Sequence, residues 1–280
     1  MLCKTLDINL DYKKLNVDNG GNKPKLSLML PDNCLSVYKG RRYPAVVICP
    51  GGGYEVTSDR EAEPVALRFA AAGFNTAILR YSVGDAKFPA ALFELATAVA
   101  MIREHADEWN IDRDKIFICG FSAGGHLCAS LGTLWNQDFV KKALGYKRGE
   151  HKPHGMILCY PVITSGKKAH RPSIEKLLGN MSEEKDMLKL VSAEKQVSGD
   201  TPPAFIWHTF TDSAVPAENS LLIASAMKDN GVPFELHIFP EGPHGLSLAN
   251  KITAGTGLDN YIVPECQKWI DMAIRWMNNL

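Results

Sequence analysis

The segment GFSAGGH, residues 120–126, places one serine between glycines in the pattern Gly-x-Ser-x-Gly. In a nucleophile elbow, this pattern forms a sharp turn between a strand and a helix and exposes the serine hydroxyl above the sheet. The preceding KIFIC (115–119) has the composition of a strand, and the following AGGHLCASLGTLW (123–135) that of a helix. This context favours Ser122 as a nucleophile over a small residue in an ordinary turn.

Short apolar runs followed by turn residues recur along the chain and predict buried strands. They are continuously apolar, which is typical of strands covered on both faces. The runs are YPAVVICP (43–50), FNTAILRY (74–81), DKIFICG (114–120), HGMILCY (154–160), PAFIWHT (203–209) and FELHIFP (234–240). Helical patterns lie at residues 61–73, 89–110, 216–231 and 264–278. Alternating strands and helices predict an α/β fold, with a mostly parallel central sheet and helices on both faces.

Two segments depart from this alternation. Within residues 1–40, TLDINLDY (5–12) and KLSLML (25–30) flank DNGGNKP and predict antiparallel strands at an edge of the sheet. Residues 161–202 form a small polar insertion that predicts two short helices and could cap a site. Because no repeat or low-complexity tract divides the sequence, we expect one domain over residues 1–280.

The composition limits the kinds of partner that the protein is expected to bind. Of 280 residues, 45% are hydrophobic, and the formal net charge is zero with scattered basic residues, so a nucleic-acid footprint is missing. The N-terminus has no apolar signal-peptide region, and no apolar run reaches the length of a membrane span. We therefore expect neither a nucleic-acid nor a membrane partner, and a homo-oligomer stays open.

The cysteines indicate the compartment. They lie far apart without metal-site or disulfide spacing, at positions 3, 34, 49, 119, 128, 159 and 266. Unpaired cysteines of this kind are typical of a reducing compartment, most simply the cytoplasm.

A serine hydroxyl becomes nucleophilic when a base takes its proton, and a carboxylate orients that base. Among eight histidines, His244 lies in the glycine-flanked loop GPHGLSL (242–248), just after the last predicted strand. Asp212 follows the carboxyl end of the strand AFIWH, whereas Asp200 lies at its amino end. The chain order Ser122, Asp212, His244 is the one that the α/β-hydrolase topology requires.

The remaining histidines are interpreted differently. His126 lies one helical turn after Ser122 and is expected, with Tyr54, to pack near the pocket or to line its floor. Five others are interpreted as surface or core residues, namely His105, His151, His154, His170 and His237.

The segment CPGGGY (49–54) follows the first central strand and supplies the remaining requirement for acyl transfer. Negative charge on the acyl oxygen needs backbone N–H donors, and glycines let the backbone approach a substrate closely. Gly52 and Gly53 are expected to donate from one side and Ala123 from the other. A phosphate-binding loop usually has a lysine just after its glycines, whereas YEVTSDRE follows here, which disfavours a phosphate site.

Together these motifs resemble the α/β-hydrolases related to acetyl xylan esterases and other small esterase and lipase proteins. The resemblance rests on PGGGY, GFSAGGHLCASLG, TPPAFIWHTFTDSAVPAENS and GPHGLSLA, and it runs from about residue 43 to the end. It implies ester hydrolysis, often deacetylation of plant-polysaccharide fragments, without a cofactor or metal. It assigns the triad and the three oxyanion donors to the residues named above. Pro50 replaces the histidine of the wider lipase pattern, so the anchoring of the glycine loop is expected to differ.

The sequence thus predicts a serine carboxylesterase that hydrolyses short-chain, most simply acetyl, esters on sugars such as acetylated xylo-oligosaccharides. The insertion favours short acyl groups because SGKKAHRPS (165–173) and MSEEKDMLK (181–189) offer no broad apolar face. A peptidase or amidase, or a lipase-like hydrolase on the same fold, stays an alternative. A non-catalytic binding protein and a metal hydrolase using His208 and Asp212 are disfavoured, the latter because no third ligand has suitable spacing.

Overall fold

The computed structural model describes residues 1–32, 36 and 40–280. The described strands are β1 Leu2–Asp7, β2 Lys25–Leu30, β3 Tyr43–Cys49, β4 Asn75–Arg80, β5 Ile111–Phe121, β6 Gly155–Cys159, β7 Ala204–Thr209 and β8 Phe234–Phe239. They form one sheet in the order β1-β2-β4-β3-β5-β6-β7-β8. The strands from β4 through β3 to β8 pair in parallel, whereas β1 with β2 and β2 with β4 are antiparallel. The predicted mostly parallel sheet is confirmed.

Helices cover both faces of the sheet. Those in the described ranges are α1 Tyr12–Leu15, α2 Glu63–Ala71, α3 Ala90–Glu104, α4 Ala123–Leu134, α5 Asp138–Leu144, α6 Arg171–Leu178, α7 Lys185–Val191, α8 Glu218–Asp229, α9 Pro264–Gln267 and α10 Trp269–Asn278. Helices α2 and α10 pack on one face, while α3, α4 and α8 pack on the other. In the described part of the chain, no helix has the length and apolar character needed to cross a membrane.

Strand β5 shows why the strands read as continuously apolar. Ile116 and Ile118 pack into the core under α3 and α4, whereas Phe117, Cys119 and Phe121 pack into the core under α2 and α10. Successive side chains of a strand point to opposite faces, so a strand buried on both sides needs an apolar residue at every position.

The prediction for residues 1–40 is right about the antiparallel pairing of the two strands and wrong about where the first strand ends. Strand β1 ends at Asp7 instead of continuing to Tyr12, and α1 follows it. The Asp11 side chain accepts a hydrogen bond from the Lys14 N–H and caps this short helix, so the connection is longer than a tight hairpin turn. Residues 33–35 and 37–39, which include the predicted unpaired Cys34, lie outside the described residues.

The polar insertion 161–202 contains α6 and α7, with one 3₁₀ turn, Gly179–Met181, between them and another, Ala193–Lys195, after α7. It is tied to the sheet and to α4 by backbone and side-chain contacts. The Val162 N–H donates to the carbonyl of Ser122, which follows β5, and the Val191 carbonyl accepts from the His126 ring in α4. Helix α5, which the sequence did not indicate, lies between α4 and β6.

Candidate active site

Four loops converge at the carboxyl edge of the sheet. The glycine loop Gly51–Gly53 follows β3, Ser122 follows β5, Asp212 follows β7 and His244 follows β8. The connections of a parallel sheet leave its strands at their carboxyl ends, which is where open α/β sheets place their ligand sites. The topology therefore gathers residues that are far apart in the sequence.

Ser122 has a strained backbone that three hydrogen bonds hold in place. Its φ of 52° and ψ of −117° lie outside the regions that serine ordinarily adopts. The Ser122 N–H donates to the Cys159 carbonyl over 3.0 Å, and the Ser122 carbonyl accepts from the N–H groups of His126 and Val162. The residue is thereby fixed between the end of β6 and the first turn of α4.

The glycines beside Ser122 allow the helix to approach the strands. A Cβ at Gly124 would lie 2.1 Å from the Cys49 carbonyl oxygen, and one at Gly120 would lie 2.1 Å from the Gly124 carbonyl oxygen. Both distances are far below any normal contact, so only glycine fits at either position. The Gly-x-Ser-x-Gly spacing therefore has a steric cause in this structure.

His244 bridges Ser122 and Asp212. Its Nε2 lies 2.7 Å from Ser122 Oγ, and its Nδ1 lies 2.6 Å from Asp212 Oδ2. A carboxylate accepts hydrogen bonds, so Nδ1 carries the proton and Nε2 presents its lone pair to the serine hydroxyl. The Tyr160 and His244 rings pack in a T-shaped arrangement, with centroids 5.2 Å apart.

Asp212 is a buried and fully hydrogen-bonded carboxylate, with 1% of its side chain exposed. Its Oδ1 accepts from the N–H groups of Ala214 and Val215, and His208 Nε2 lies 3.3 Å from Oδ2. Burial by itself raises the pKa of Asp212, but the hydrogen bonds from His208 and His244 outweigh it and hold the pKa well below the usual range. Asp212 is therefore ionised at any ordinary assay pH.

The orientation of His208 follows from its contacts. Its Nε2 lies 2.9 Å from the Val215 carbonyl, which can only accept, so Nε2 carries a proton. Its Nδ1 lies 2.8 Å from Ser220 Oγ. The sequence analysis paired His208 with Asp212 only as disfavoured metal ligands and did not predict that His208 would contact the carboxylate.

The glycine loop presents backbone N–H groups beside Ser122. Gly52 and Gly53 have φ values of 125° and 66°, in the region that glycine tolerates. Among the described residues, the N–H groups of Gly52, Gly53 and Ala123 donate no hydrogen bond to the protein. In place of a histidine anchor, the Pro50 carbonyl accepts from the Tyr81 hydroxyl and the Gly51 N–H donates to Glu61.

A cavity of about 370 Å³ opens above Ser122 and His244. Its walls are mostly polar or glycine: Gly52, Gly53, Ser58, Arg60, Glu61, Ser122, His170, His244, Gly245 and Tyr261. The Arg60 guanidinium stacks over the Tyr261 ring at 4.9 Å. The cavity is large enough for a small acyl group and part of a leaving group.

Six cavity residues were not identified as site residues from the sequence, namely Ser58, Arg60, Glu61, His170, Gly245 and Tyr261. His170 was assigned to surface or core, but the insertion carries it to the cavity, where its Nδ1 lies 2.8 Å from Ser173 Oγ. Burial lowers its pKa, as does the charge of His244. His170 reaches the cavity because the insertion folds back over the edge of the sheet. No local pattern in the sequence indicates that path of the chain.

Tyr54 and His126 lie beneath the glycine loop and are not among the residues that line the cavity. The His126 Nε2 donates to the Val191 carbonyl over 2.7 Å, and its Nδ1 accepts from the Tyr54 hydroxyl over 2.7 Å. Burial lowers the pKa of His126 to about 4, so its ring is neutral at physiological pH. The pair supports the loop from below instead of lining the pocket.

Comparisons with known proteins agree with the fold. The chain is 34% identical to an acetyl ester-xyloside bifunctional hydrolase from Caldicellulosiruptor lactoaceticus, with a TM-score of 0.82 over 99% of this chain and 96% of that one. It is 30% identical to a carboxylesterase from Lactobacillus plantarum, with a TM-score of 0.86 over 100% of this chain and 98% of that one. The fold and these neighbours place the chain among the α/β-hydrolases, and both neighbours are named for the hydrolysis of esters.

The family follows from the sequence match. Residues 32–227 match the family described as BD-FAE, and the chain belongs to that family. It is also 42% identical to an endo-1,4-beta-xylanase B from Butyrivibrio fibrisolvens over 73% of this chain, and 30% identical to an acetylxylan esterase from Xylanibacter ruminicola over 89% of it. The chain spans 33% and 49% of the lengths of these two relatives. The predicted family resemblance is confirmed, while the assignment of individual catalytic residues stays a prediction.

Proposed function

We propose that Ser122, His244 and Asp212 form a catalytic triad that hydrolyses short-chain esters, most simply acetyl esters of sugars. The observation that carries the proposal is the position of His244, 2.7 Å from the serine oxygen and 2.6 Å from the carboxylate. Asp212 fixes the tautomer of His244 by accepting from Nδ1, and this leaves Nε2 free to take the serine proton.

The reaction proceeds through an acyl-enzyme. Ser122 Oγ attacks the ester carbonyl carbon while its proton passes to His244 Nε2. As the ester C–O bond breaks, His244 returns that proton to the leaving oxygen, and the alcohol departs. Water then attacks the acyl-serine, gives its proton to His244, and the acid leaves as the proton returns to Ser122.

Gly52, Gly53 and Ala123 are proposed to stabilise the oxyanion of each tetrahedral intermediate. Their N–H groups have no partner among the described residues, and the two glycines line the cavity beside Ser122. In acyl-transfer enzymes, one such donor contributes roughly 3–4 kcal/mol to the transition state. Ala123 lies at the first turn of α4, where the helix dipole adds a positive potential.

The cavity favours a small acyl group. Each methylene transferred from water to an apolar wall gains about 0.8 kcal/mol. The walls consist of polar side chains and glycines, with the Tyr261 ring as the large apolar surface among the described residues. A long fatty chain would find little apolar surface there, whereas an acetyl group needs none.

The same walls suit a hydroxyl-rich leaving group. Arg60 and His170 offer hydrogen-bonding atoms, and Tyr261 offers a ring face on which a sugar can pack. The names of the relatives support a sugar ester, since they include an acetylxylan esterase and an acetyl ester-xyloside hydrolase. We propose acetylated xylo-oligosaccharides as the substrate and the cytoplasm as the compartment, because the described cysteines are free thiols.

The test is a comparison of kcat/KM on p-nitrophenyl acetate, butyrate, octanoate and laurate, with acetate release from acetylated xylo-oligosaccharides measured beside it. We expect the acetate ester to be preferred, by roughly 1–3 kcal/mol per added methylene at most. Ser122→Ala serves as the background control. Values of kcat/KM that rise to eight carbons, without acetate release from the sugars, would contradict the proposal.

A further inference from the structure

Glu61 is a buried carboxylate beside the reacting groups that the proposed triad does not use. It ends the short 3₁₀ helix Asp59–Glu61, which follows the glycine loop, and only 3% of the residue is exposed. It lines the cavity that holds Ser122. An ionisable group is seldom buried unless its partners compensate for the loss of water.

Both carboxylate oxygens of Glu61 have partners. Oε2 accepts from the Gly51 N–H over 2.7 Å, and Oε1 accepts from the Tyr160 hydroxyl over 2.8 Å. The Tyr160 oxygen in turn accepts from the Ser247 N–H over 2.8 Å. The Ser247 hydroxyl donates to the Arg60 carbonyl over 2.6 Å, which closes the network next to Glu61.

These bonds join two loops that strand pairing leaves unconnected. The glycine loop follows β3 and the His244 loop follows β8, and three strands lie between them in the sheet. Tyr160 follows β6, midway along that edge, and its ring packs against His244. A continuous path of hydrogen bonds therefore runs from Gly51 through Glu61 and Tyr160 to Ser247.

Burial raises the pKa of the Glu61 carboxyl, while the bonds from Tyr160 and Gly51 and the charge of His244 oppose this rise. Removal of either partner leaves an acceptor without its bond in a buried place, so the network acts as a unit. Its members are held in one arrangement by the surrounding core, since Tyr160 is 1% exposed and packs edge-on against Trp207.

We propose that Glu61 is a positioning residue that sets the separation between the oxyanion donors and the base. Through the Gly51 N–H it holds the glycine loop, and through the Tyr160 hydroxyl it holds the His244 loop. This inference rests on the proposed function, because the loop matters for catalysis only if Gly52 and Gly53 bind the oxyanion. It adds a residue whose carboxylate accepts from Gly51 and Tyr160 and makes no hydrogen bond to Ser122, Asp212 or His244.

The first variant is Glu61→Gln. The two carboxylate oxygens accept one bond each, from the Gly51 N–H and the Tyr160 hydroxyl. An amide has one acceptor oxygen and one NH₂ group, so the side chain of glutamine cannot replace both acceptors. We expect kcat on p-nitrophenyl acetate to fall about 10- to 100-fold, as for a small misplacement of reacting groups, with KM within about threefold. Urea unfolding of the same sample measures stability separately.

The second variant is Tyr160→Phe, which keeps the ring against His244 and removes only the hydroxyl. It should lower kcat in the same way, and the double variant Glu61→Gln/Tyr160→Phe should lose much less than the product of the two single effects. If Glu61→Gln fails to fold, Tyr160→Phe still tests the path.

Glu94 provides a matched control. It too is buried and accepts from a backbone N–H, that of Ser82, and a tyrosine hydroxyl, that of Tyr12, with the Ser82 hydroxyl as a further donor, and burial raises its pKa. Glu94→Gln should lose stability while kcat stays within about twofold, because it lies outside the cavity. If both glutamine variants lose stability and neither loses kcat, Glu61 is merely structural and the inference is wrong. If Ser122→Ala itself keeps wild-type activity, the proposed function fails instead.

Discussion

Gly124 is the position at which the elbow can be tested by a single methyl group. Gly124 lies in the first turn of α4, where alanine would ordinarily stabilise a helix by about 0.5–1 kcal/mol. Here the new Cβ would lie 2.1 Å from the Cys49 carbonyl oxygen and 2.5 Å from the Pro50 carbonyl oxygen. Both are backbone atoms, so no side chain can rotate to relieve the contact.

Relief of that contact requires the start of α4 to move away from β3 by about 1 Å, which overpacked cores usually resist at a cost of 1–3 kcal/mol. The steric cost exceeds the free energy that alanine gains from its higher helix propensity, so Gly124→Ala should lower the stability of the protein. The same movement displaces Ser122 and the Ala123 N–H from His244, and a shift of about 1 Å at reacting groups can lower kcat about 100-fold.

The assay compares Gly124→Ala with Gly199→Ala, whose Cβ meets nothing within 4 Å at a residue without a positive φ. Urea unfolding gives the stability, and turnover of p-nitrophenyl acetate gives kcat for the folded fraction. Gly199→Ala should match the wild type in both measurements. A Gly124→Ala protein with wild-type stability and kcat would refute the steric reading of the elbow.

Further predictions concern the triad and the cavity. Ser122→Ala should fold normally and lower kcat about 10⁴-fold or more, measured on p-nitrophenyl acetate; wild-type turnover would end the triad proposal. The depressed pKa of Asp212 adds stability that is present above the unfolded-state pKa of about 3.9 and is lost as pH falls towards the folded-state pKa. The stability difference between wild type and Asp212→Asn should therefore narrow from pH 5 to pH 3 in urea titrations, and a constant difference would contradict this. His170→Ala should raise KM for acetylated xylo-oligosaccharides up to about tenfold and leave the turnover of p-nitrophenyl acetate nearly unchanged. Equal effects on the two substrates would contradict a role for His170 in binding the sugar.

Much of the fold could be predicted because burial on both faces leaves a direct trace in the sequence. The run IFIC (116–119) alternates between two cores, so every residue in it is apolar. The N-terminal connection was harder, because a single side-chain bond from Asp11 decides that Tyr12–Leu15 is helical. The sequence of this segment fits the alternating pattern of a strand as well as it fits a short capped helix, so the pattern alone does not distinguish the two.

The site was predictable where glycine spacing and strand order constrain it. Ser122, Asp212 and His244 each follow a predicted strand, so their convergence could be expected from topology alone. His170 and Glu61 could not be found in this way, because their positions depend on how the insertion and a 3₁₀ helix fold back over the edge. Tyr54 and His126 were placed near the site but lie below its floor, since their polar atoms satisfy each other and Val191.

The bond between His126 and Val191 has a consequence for behaviour at an oil–water interface. A cap that swings open on contact with lipid would separate the Val191 carbonyl from a neutral imidazole buried in α4, and the ring N–H would lose its acceptor in an apolar setting. We therefore expect residues 161–202 to stay in this arrangement during turnover. The hydrolysis rate of a sparingly soluble ester should follow its dissolved concentration smoothly and saturate, without a jump when droplets form.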